Sequence, residues 1–110
     1  MKIKKAVVLC AGYGKRLNPI TLSIPKPLIK INNKTLLEKT IRVLEKYGIE
    51  EIVINTHYLS EKIDSFLKKN KFNLKIFIKK EKEKILETGG GVMNAATLFK
   101  NEPYFVLNPD

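Results

Sequence analysis

Two basic residues follow two glycines early in the chain, in a segment whose composition suits phosphate binding. Gly12 and Gly14 come after an apolar run, and Lys15 and Arg16 come next. Glycine lets the backbone approach a phosphate closely and turn its N–H groups toward the oxygens. Arginine suits bidentate contacts with oxygen, whereas lysine acts as a point charge. The segment predicts a phosphate cradle, although a plain strand-to-loop turn explains the glycines alone equally well.

Two well-known phosphate-binding patterns do not describe this segment. A P-loop needs G-x-x-x-x-G-K followed by serine or threonine, which the sequence lacks. The dinucleotide-binding fingerprint needs a third glycine and a helix that begins there. Residues 12–27 are instead predicted to form a long loop, and loops of more than about 12 residues are commonly functional or disordered.

A lysine lies between two prolines in Pro25-Lys26-Pro27. Proline fixes its own backbone angle and disfavours helical conformation in the residue before it. We expect a rigid, extended segment that aims Lys26 at a fixed anion such as a substrate phosphate. A proline-rich turn with an exposed lysine is the alternative.

Consecutive glycines, Gly89 to Gly91, open a predicted helix after Thr88. Each glycine disfavours a helix by about 1 kcal/mol relative to alanine. A backbone that must lie flat against a nucleobase would explain that unfavourable choice, and a flexible loop is the alternative.

An aspartate follows a predicted buried strand at the end of the sequence. Asn108, Pro109 and Asp110 come directly after an apolar run. Carboxylate oxygen suits a hard cation, and Mg2+ at Asp110 would bridge phosphates and orient a reaction. Because all three residues also favour turns, an ordinary strand-end turn is the alternative.

Two other polar residues are expected to be structural. His57 follows a predicted buried strand, where a histidine with satisfied hydrogen bonds is more common than one that binds a ligand. Cys10 is expected to pack beside the first loop, and nothing adjacent marks it as a nucleophile. As the single cysteine, it excludes an internal disulfide and a cysteine-only zinc site.

Apolar periodicity predicts strands that alternate with helices. The predicted strands are residues 6–9, 52–54, 74–79 and 104–107, and the third alternates as an exposed strand near a sheet edge would. The first helix begins after the cap Thr35 and stops at Gly48, Ser60 caps the second, and the third follows the glycines. This order predicts a mainly parallel sheet with helices on both faces. Ligands bind at the carboxyl ends of such strands, so the first loop and Asp110 would share one rim.

Length and charge narrow the class of protein. The 110 residues suit one domain over residues 1–110. No apolar run approaches the ~20 residues that cross a bilayer, and the first run is too short for an export signal, so we expect a cytoplasmic protein without a membrane partner. The formal net charge of +10 would attract nucleotide phosphates or nucleic acid. Since aromatic residues do not interleave with the lysines, a solvated lysine surface is favoured and no nucleic-acid partner is expected.

Taken in order, these motifs resemble the sugar-1-phosphate nucleotidyltransferase family. The resemblance rests on residues 11–21, 25–28, 87–91 and 106–110 and runs over nearly the whole chain. The glycine motif at residues 87–91 is most similar to a bacterial branch that holds N-acetylmuramate-1-phosphate uridylyltransferases and mannose-1-phosphate guanylyltransferases. The family implies a Rossmann-like sheet and a reaction in which an NTP and a sugar 1-phosphate give an NDP-sugar and pyrophosphate.

The resemblance also implies a role for each matching residue. Arg16 and Lys26 would be the catalytic cations, with Lys26 on the phosphates of the reacting pair. No covalent enzyme intermediate is expected, because the sugar phosphate oxygen attacks the α-phosphorus directly. The residues expected at the nucleotide and its metal are Ala11, Gly12, Gly14, Lys15, Arg16, Lys26, Gly89, Gly90 and Asn108, with Asp110 as the Mg2+ ligand.

The family's catalytic domains run well beyond this length, and their later half supplies most of the sugar pocket and a second metal-binding aspartate. We therefore expect an incomplete sheet, the N-terminal half of the domain, that binds NTP weakly and does not complete turnover alone. An exposed sheet edge would remain where further strands pair. The leading pairs of nucleoside and sugar are uridine with an amino-sugar acid and guanosine with mannose. A non-catalytic nucleotide-sensing module is the alternative function.

Overall fold

The computed structural model describes residues 2–11, 23–81, 96–100 and 102–109. Strands and helices alternate along these residues, as the sequence predicts, with short 3-10 turns at Lys26–Leu28 and Thr97–Phe99. The strands are β1 (Lys5–Leu9), β2 (Lys30–Ile31), β3 (Lys34–Thr35), β4 (Glu51–Thr56), β5 (Lys75–Lys80) and β6 (Phe105–Leu107), and the helices are α1 (Leu36–Lys46) and α2 (Ser60–Lys69).

The described residues form one parallel sheet with the strand order β5-β4-β1-β6. β1 and β4 lie at its centre, which explains their near-continuous apolar sequences, since both faces of each strand are covered. β5 lies at one edge, as its alternating sequence predicts. β6 lies at the other edge of the described sheet, where Phe105 and Val106 are about half exposed. The predicted parallel α/β architecture is therefore confirmed.

Helical segments cover both faces of this sheet. On one face, Leu37 and Ile41 of α1 and Ile63 of α2 pack against Val8 and Ile54. On the other face, apolar residues of the segment 96–99 pack against the central strands: the buried cluster there is Val7, Val53, Ala96 and Phe99. That segment belongs to the predicted third helix, whose first residues, 89–95, lie outside the described residues.

The ends of α1 lie where the local signals predict. Thr35 caps the first turn, because its Oγ1 accepts a hydrogen bond from the Glu38 N–H at 2.9 Å. Gly48 follows the last turn with a φ of +84°. The Ile49 N–H donates to the Leu44 carbonyl at 3.0 Å, which is the hydrogen bond of a glycine-terminated Schellman motif. These caps fix the length of the helix that supports the sheet.

The predicted cap of α2 is wrong. Ser60 is the first helical residue rather than the cap, and it is buried. The capping position is taken by Leu59 in a left-handed conformation, with a φ of 52° and no side-chain cap. A serine before an apolar helical face is a common start signal, but here the tight connection from β4 moves it into the first turn.

Candidate functional site

The carboxyl ends of β1 and β6 lie side by side. The two strands pair in parallel, with Val8 opposite Leu107, so the chain leaves both at the same edge of the sheet. β1, β4 and β5 follow one another in one direction across the sheet, whereas β6 lies on the opposite side of β1. The carboxyl ends of β1 and β6 therefore mark the topological switch point of the sheet. Ligands bind outside the strand ends at this point in open α/β sheets.

Two of the predicted site residues lie at this edge. Ala11 follows β1 and is buried, and Asn108 follows β6 and is exposed. Apart from Lys26, the other predicted site residues lie outside the described residues. They are Gly12, Gly14, Lys15, Arg16, Gly89, Gly90 and Asp110.

Lys26 lies in a compact turn rather than in the extended segment that its flanking prolines predict. Pro25 itself is extended, with a ψ of 146°, but the residues after it form a 3-10 turn. The turn is closed by a hydrogen bond of 2.9 Å from the Leu28 N–H to the Pro25 carbonyl. Since Pro25 and Pro27 are buried, the turn is anchored on both sides of the half-buried Lys26. The predicted extended conformation of Lys26 is therefore wrong, although buried prolines flank the residue as the sequence suggests.

A short hairpin made of β2 and β3 follows this turn and is not among the predicted elements. Asn32 and Asn33 form its two-residue connection, both with positive φ (54° and 67°). Asparagine tolerates that conformation better than most residues, so the signal was available in the sequence. The Leu36 N–H donates to the Ile29 carbonyl at 3.0 Å, which ties the turn at Lys26 to the start of α1.

A buried polar group lies beside the start of the loop that follows β1. The side chain of Asn55, at the end of β4, accepts a hydrogen bond from the Cys10 N–H at 2.6 Å. Its Nδ2 donates to Oε1 of Glu81 at 3.3 Å. Asn55 and Glu81 are only 3% and 4% exposed. Glu81, the residue directly after β5, therefore places a carboxyl group inside the protein.

The main chain of Glu81 is held in turn by the end of β4. Its N–H donates to the Thr56 carbonyl at 2.7 Å. Its carbonyl accepts a hydrogen bond from Nδ1 of His57, which fixes Nδ1 as the protonated nitrogen when the ring is neutral. This contact supports the structural role expected for His57.

Burial makes Cys10 a poor nucleophile. It is enclosed in the core beside α1, and burial raises the pKa of its thiol. We predict that Cys10 in the folded protein reacts with a disulfide reagent at pH 8 far more slowly than the same thiol in denaturant, because only the thiolate attacks. The release of the reagent's chromophore measures both rates. Prompt reaction of the folded protein would show that this end of β1 opens to solvent.

Within the described ranges, no group of three or more His, Cys, Asp and Glu side chains could hold a metal ion. Asp110, the predicted Mg2+ ligand, lies outside those ranges. In the same part of the chain, no helix is long and apolar enough to cross a membrane.

The model of one protein family, described as nucleotidyl transferase, matches residues 5–110. The chain belongs to this family. It is 41% identical over 106 residues to the D-glycero-alpha-D-manno-heptose 1-phosphate guanylyltransferase of Campylobacter jejuni, covering 96% of this chain and 47% of that protein. It is 36% identical over 109 residues to the mannose-1-phosphate guanyltransferase beta-B of Xenopus laevis, covering 96% of this chain and 30% of that protein.

The fold is also that of a solved relative. The structure of HddC from Yersinia pseudotuberculosis complexed with GMP-PN superposes with a TM-score of 0.84 at 32% sequence identity. The superposition covers 98% of this chain and 48% of that one. The chain thus spans less than half the length of these family members.

Proposed function

We propose that this chain is the nucleotide-binding part of a sugar-1-phosphate nucleotidyltransferase. Such an enzyme transfers a nucleotidyl group from an NTP to a sugar 1-phosphate and releases pyrophosphate. The observation that carries the proposal is the family match over residues 5–110. The adjacent carboxyl ends of β1 and β6 support it, because they bring the two ends of the proposed site to one crevice.

The proposed chemistry needs positioning and charge neutralisation rather than a covalent intermediate. Gly12, Gly14, Lys15 and Arg16 would hold the triphosphate, and Lys26 would hold the phosphates of the reacting pair. An oxygen of the sugar phosphate then attacks the α-phosphorus, and pyrophosphate leaves with the electron pair of the broken P–O bond. Ala11 would form the start of the cradle, and its burial next to the end of β1 suits a fixed starting point.

The proposed nucleobase contacts are Gly89 and Gly90, and Asn108 would lie close to the sugar or the nucleotide. Asn108 is exposed at the carboxyl end of β6. Asp110, two residues further on in the sequence, would hold Mg2+. A carboxylate offers oxygen donors, which are the ligands that Mg2+ prefers. When bound, the metal would neutralise charge on the phosphates.

Guanine is the proposed nucleobase. The similar proteins described above are guanylyltransferases, and the one solved with a ligand is complexed with GMP-PN. Their acceptors are mannose 1-phosphate and a manno-heptose 1-phosphate, so a sugar phosphate of the manno series is the proposed acceptor. The second proposed pair of nucleoside and acceptor is uridine with an amino-sugar acid.

Product formation tests this function. The chain would be joined after Asp110 to the C-terminal part of the Campylobacter jejuni relative, and pyrophosphate release measured with each NTP and with mannose 1-phosphate or the heptose phosphate. We expect turnover with GTP from the joined protein and little from the 110 residues alone. A joined protein that melts cooperatively and binds GTP without turnover would favour the nucleotide-sensing alternative.

A further inference from the structure

We infer that Asn55 is a positioning residue for the proposed nucleotide site: its amide ties the end of β1 at Cys10 to Glu81 and fixes the backbone that the proposed phosphate-binding residues follow in the sequence. This inference rests on the proposed function. It assigns a task to a side chain that touches neither the proposed phosphates nor the proposed metal.

The first contact fixes the backbone at Cys10. The Cys10 N–H donates to the Asn55 main-chain carbonyl at 3.1 Å, as the parallel pairing of β1 with β4 requires. The same N–H also reaches Oδ1 of Asn55 at 2.6 Å. Two acceptors on one residue hold this N–H from two directions, so the peptide plane between Leu9 and Cys10 has little freedom to rotate.

The second contact fixes the amide itself. Nδ2 of Asn55 donates to Oε1 of Glu81, and both residues are buried. The Glu81 main chain is anchored on β4 through the Thr56 carbonyl and His57. The connection therefore runs from the end of β5 through the end of β4 to the end of β1, across three neighbouring strands.

The energetics point to a functional role for this pair. The Cys10 N–H already has a main-chain acceptor, so the ladder does not need the Asn55 side chain. The preceding residues of β4, Ile52 to Ile54, are buried and apolar, and another apolar residue would continue that pattern. Burying an amide and a carboxyl group costs free energy that an apolar pair avoids. What the polar pair adds is a single defined geometry at the point where the loop begins.

A charge-conserving swap tests the pair. Asn55→Asp keeps an acceptor for the Cys10 N–H but sets two carboxyl groups side by side. Adding Glu81→Gln restores one hydrogen bond between the two side chains, with donor and acceptor exchanged. Because a small misplacement in a binding site has a large effect, we expect Asn55→Asp to weaken GTP binding about tenfold or more. The double variant should bind GTP nearly as well as the unmodified chain.

The matched control is Thr56→Val at the next position of the same strand. Oγ1 of Thr56 is buried and has no hydrogen-bond partner in the part of the chain that the structure describes. Replacing it with a methyl group of similar size removes an unsatisfied hydroxyl, so the variant should melt at the same temperature or higher and bind GTP unchanged. All titrations are made well below the melting temperature that circular dichroism gives for each variant.

Amide exchange separates this inference from the proposed function. In NMR spectra, the exchange rates of the Cys10 and Ala11 amides are divided by that of Val7 in the core of the same strand, which removes the effect of global stability. We expect both ratios to be higher in Asn55→Asp than in the unmodified chain. In the double variant they should return to the values of the unmodified chain. Absence of GTP binding by the unmodified chain would overturn the proposed function, and the exchange ratio would still test the role of Asn55.

Two results would overturn the inference. One is an Asn55→Asp protein that is folded and shows both unchanged GTP affinity and an unchanged exchange ratio. The other is a folded double variant that recovers neither quantity. If Asn55→Asp alone does not fold, the double variant decides, because a general intolerance of a carboxyl group at position 55 would leave the double variant equally unfolded.

Discussion

Replacing Arg16 by alanine is expected to weaken NTP binding by about tenfold to a hundredfold. A hydrogen bond to a charged group contributes about 1.5–3 kcal/mol, and about 1.4 kcal/mol corresponds to a factor of ten in affinity. Arg16 is the cation in the proposed cradle that can form bidentate contacts with phosphate oxygens, so its loss removes geometry as well as charge. Isothermal titration of the chain with GTP and Mg2+ measures the change in Kd.

Two further variants show whether the effect is local. Arg16→Lys keeps the charge but loses the planar fork, so its affinity should lie between those of the unmodified chain and Arg16→Ala. Lys62→Ala removes one positive charge from the exposed side of α2 and should leave Kd unchanged. Equal weakening by Arg16→Ala and Lys62→Ala would mean that the net charge of +10, rather than a site at Arg16, attracts the nucleotide.

Replacing Leu37 by alanine is expected to lower the free energy of unfolding by about 2–5 kcal/mol. Leu37 is fully buried on the inner face of α1, in the same cluster as Ile41 and Ile54. The substitution removes apolar surface and leaves a cavity between the helix and the centre of the sheet. Because small domains are stable by about 5–15 kcal/mol in total, the loss would be a large part of the whole. Urea unfolding followed by circular dichroism measures it.

Val43→Ala on the same helix is the matched control. Val43 is 47% exposed, so the substitution should change the unfolding free energy by less than about 0.5 kcal/mol. Similar losses for Leu37→Ala and Val43→Ala would contradict the packing of α1 against the sheet. In that case the helix would be held by something other than its buried face.

Local signals made α1 and the central strands predictable. A threonine cap, a glycine stop and an apolar stripe all act within a few residues, and each is visible in the sequence around Thr35 and Gly48. The apolar runs of β1 and β4 likewise predict strands that are covered on both sides. Their alternation with helices is enough to predict a parallel α/β sheet, which the structure and the family match both confirm.

Local rules were less successful where neighbouring elements compete. Ser60 was predicted as a cap because capping residues commonly precede an apolar helical face, but the connection from β4 places Leu59 there instead. Lys26 was predicted to be extended because prolines flank it, whereas packing of Pro25 and Pro27 against the protein accommodates a 3-10 turn. In both cases the backbone conformation departs from the local preference, and Leu59 even adopts the left-handed conformation that side chains disfavour.

The Asn55–Glu81 pair could not be predicted from local sequence. The two residues are separated by 26 positions, and only the neighbouring positions of β4 and β5 bring them together. One signal was present, since Asn55 is a polar residue directly after the apolar run Ile52 to Ile54. A polar side chain at the end of a buried strand indicates a hydrogen-bond partner, and the end of the neighbouring strand is the first place to look for it.

Nucleotide-dependent stabilisation of this chain tests the central claim most directly. In a thermal-shift panel, the 110-residue chain is melted with GTP, UTP, CTP, dTTP and ATP, each with and without Mg2+. A ligand that binds the folded state at 100 times its Kd adds about 2.7 kcal/mol of stability, enough to raise the melting temperature measurably. We predict a Mg2+-dependent rise that is largest with GTP. A cooperative melt that no nucleotide shifts would contradict the proposed nucleotide site.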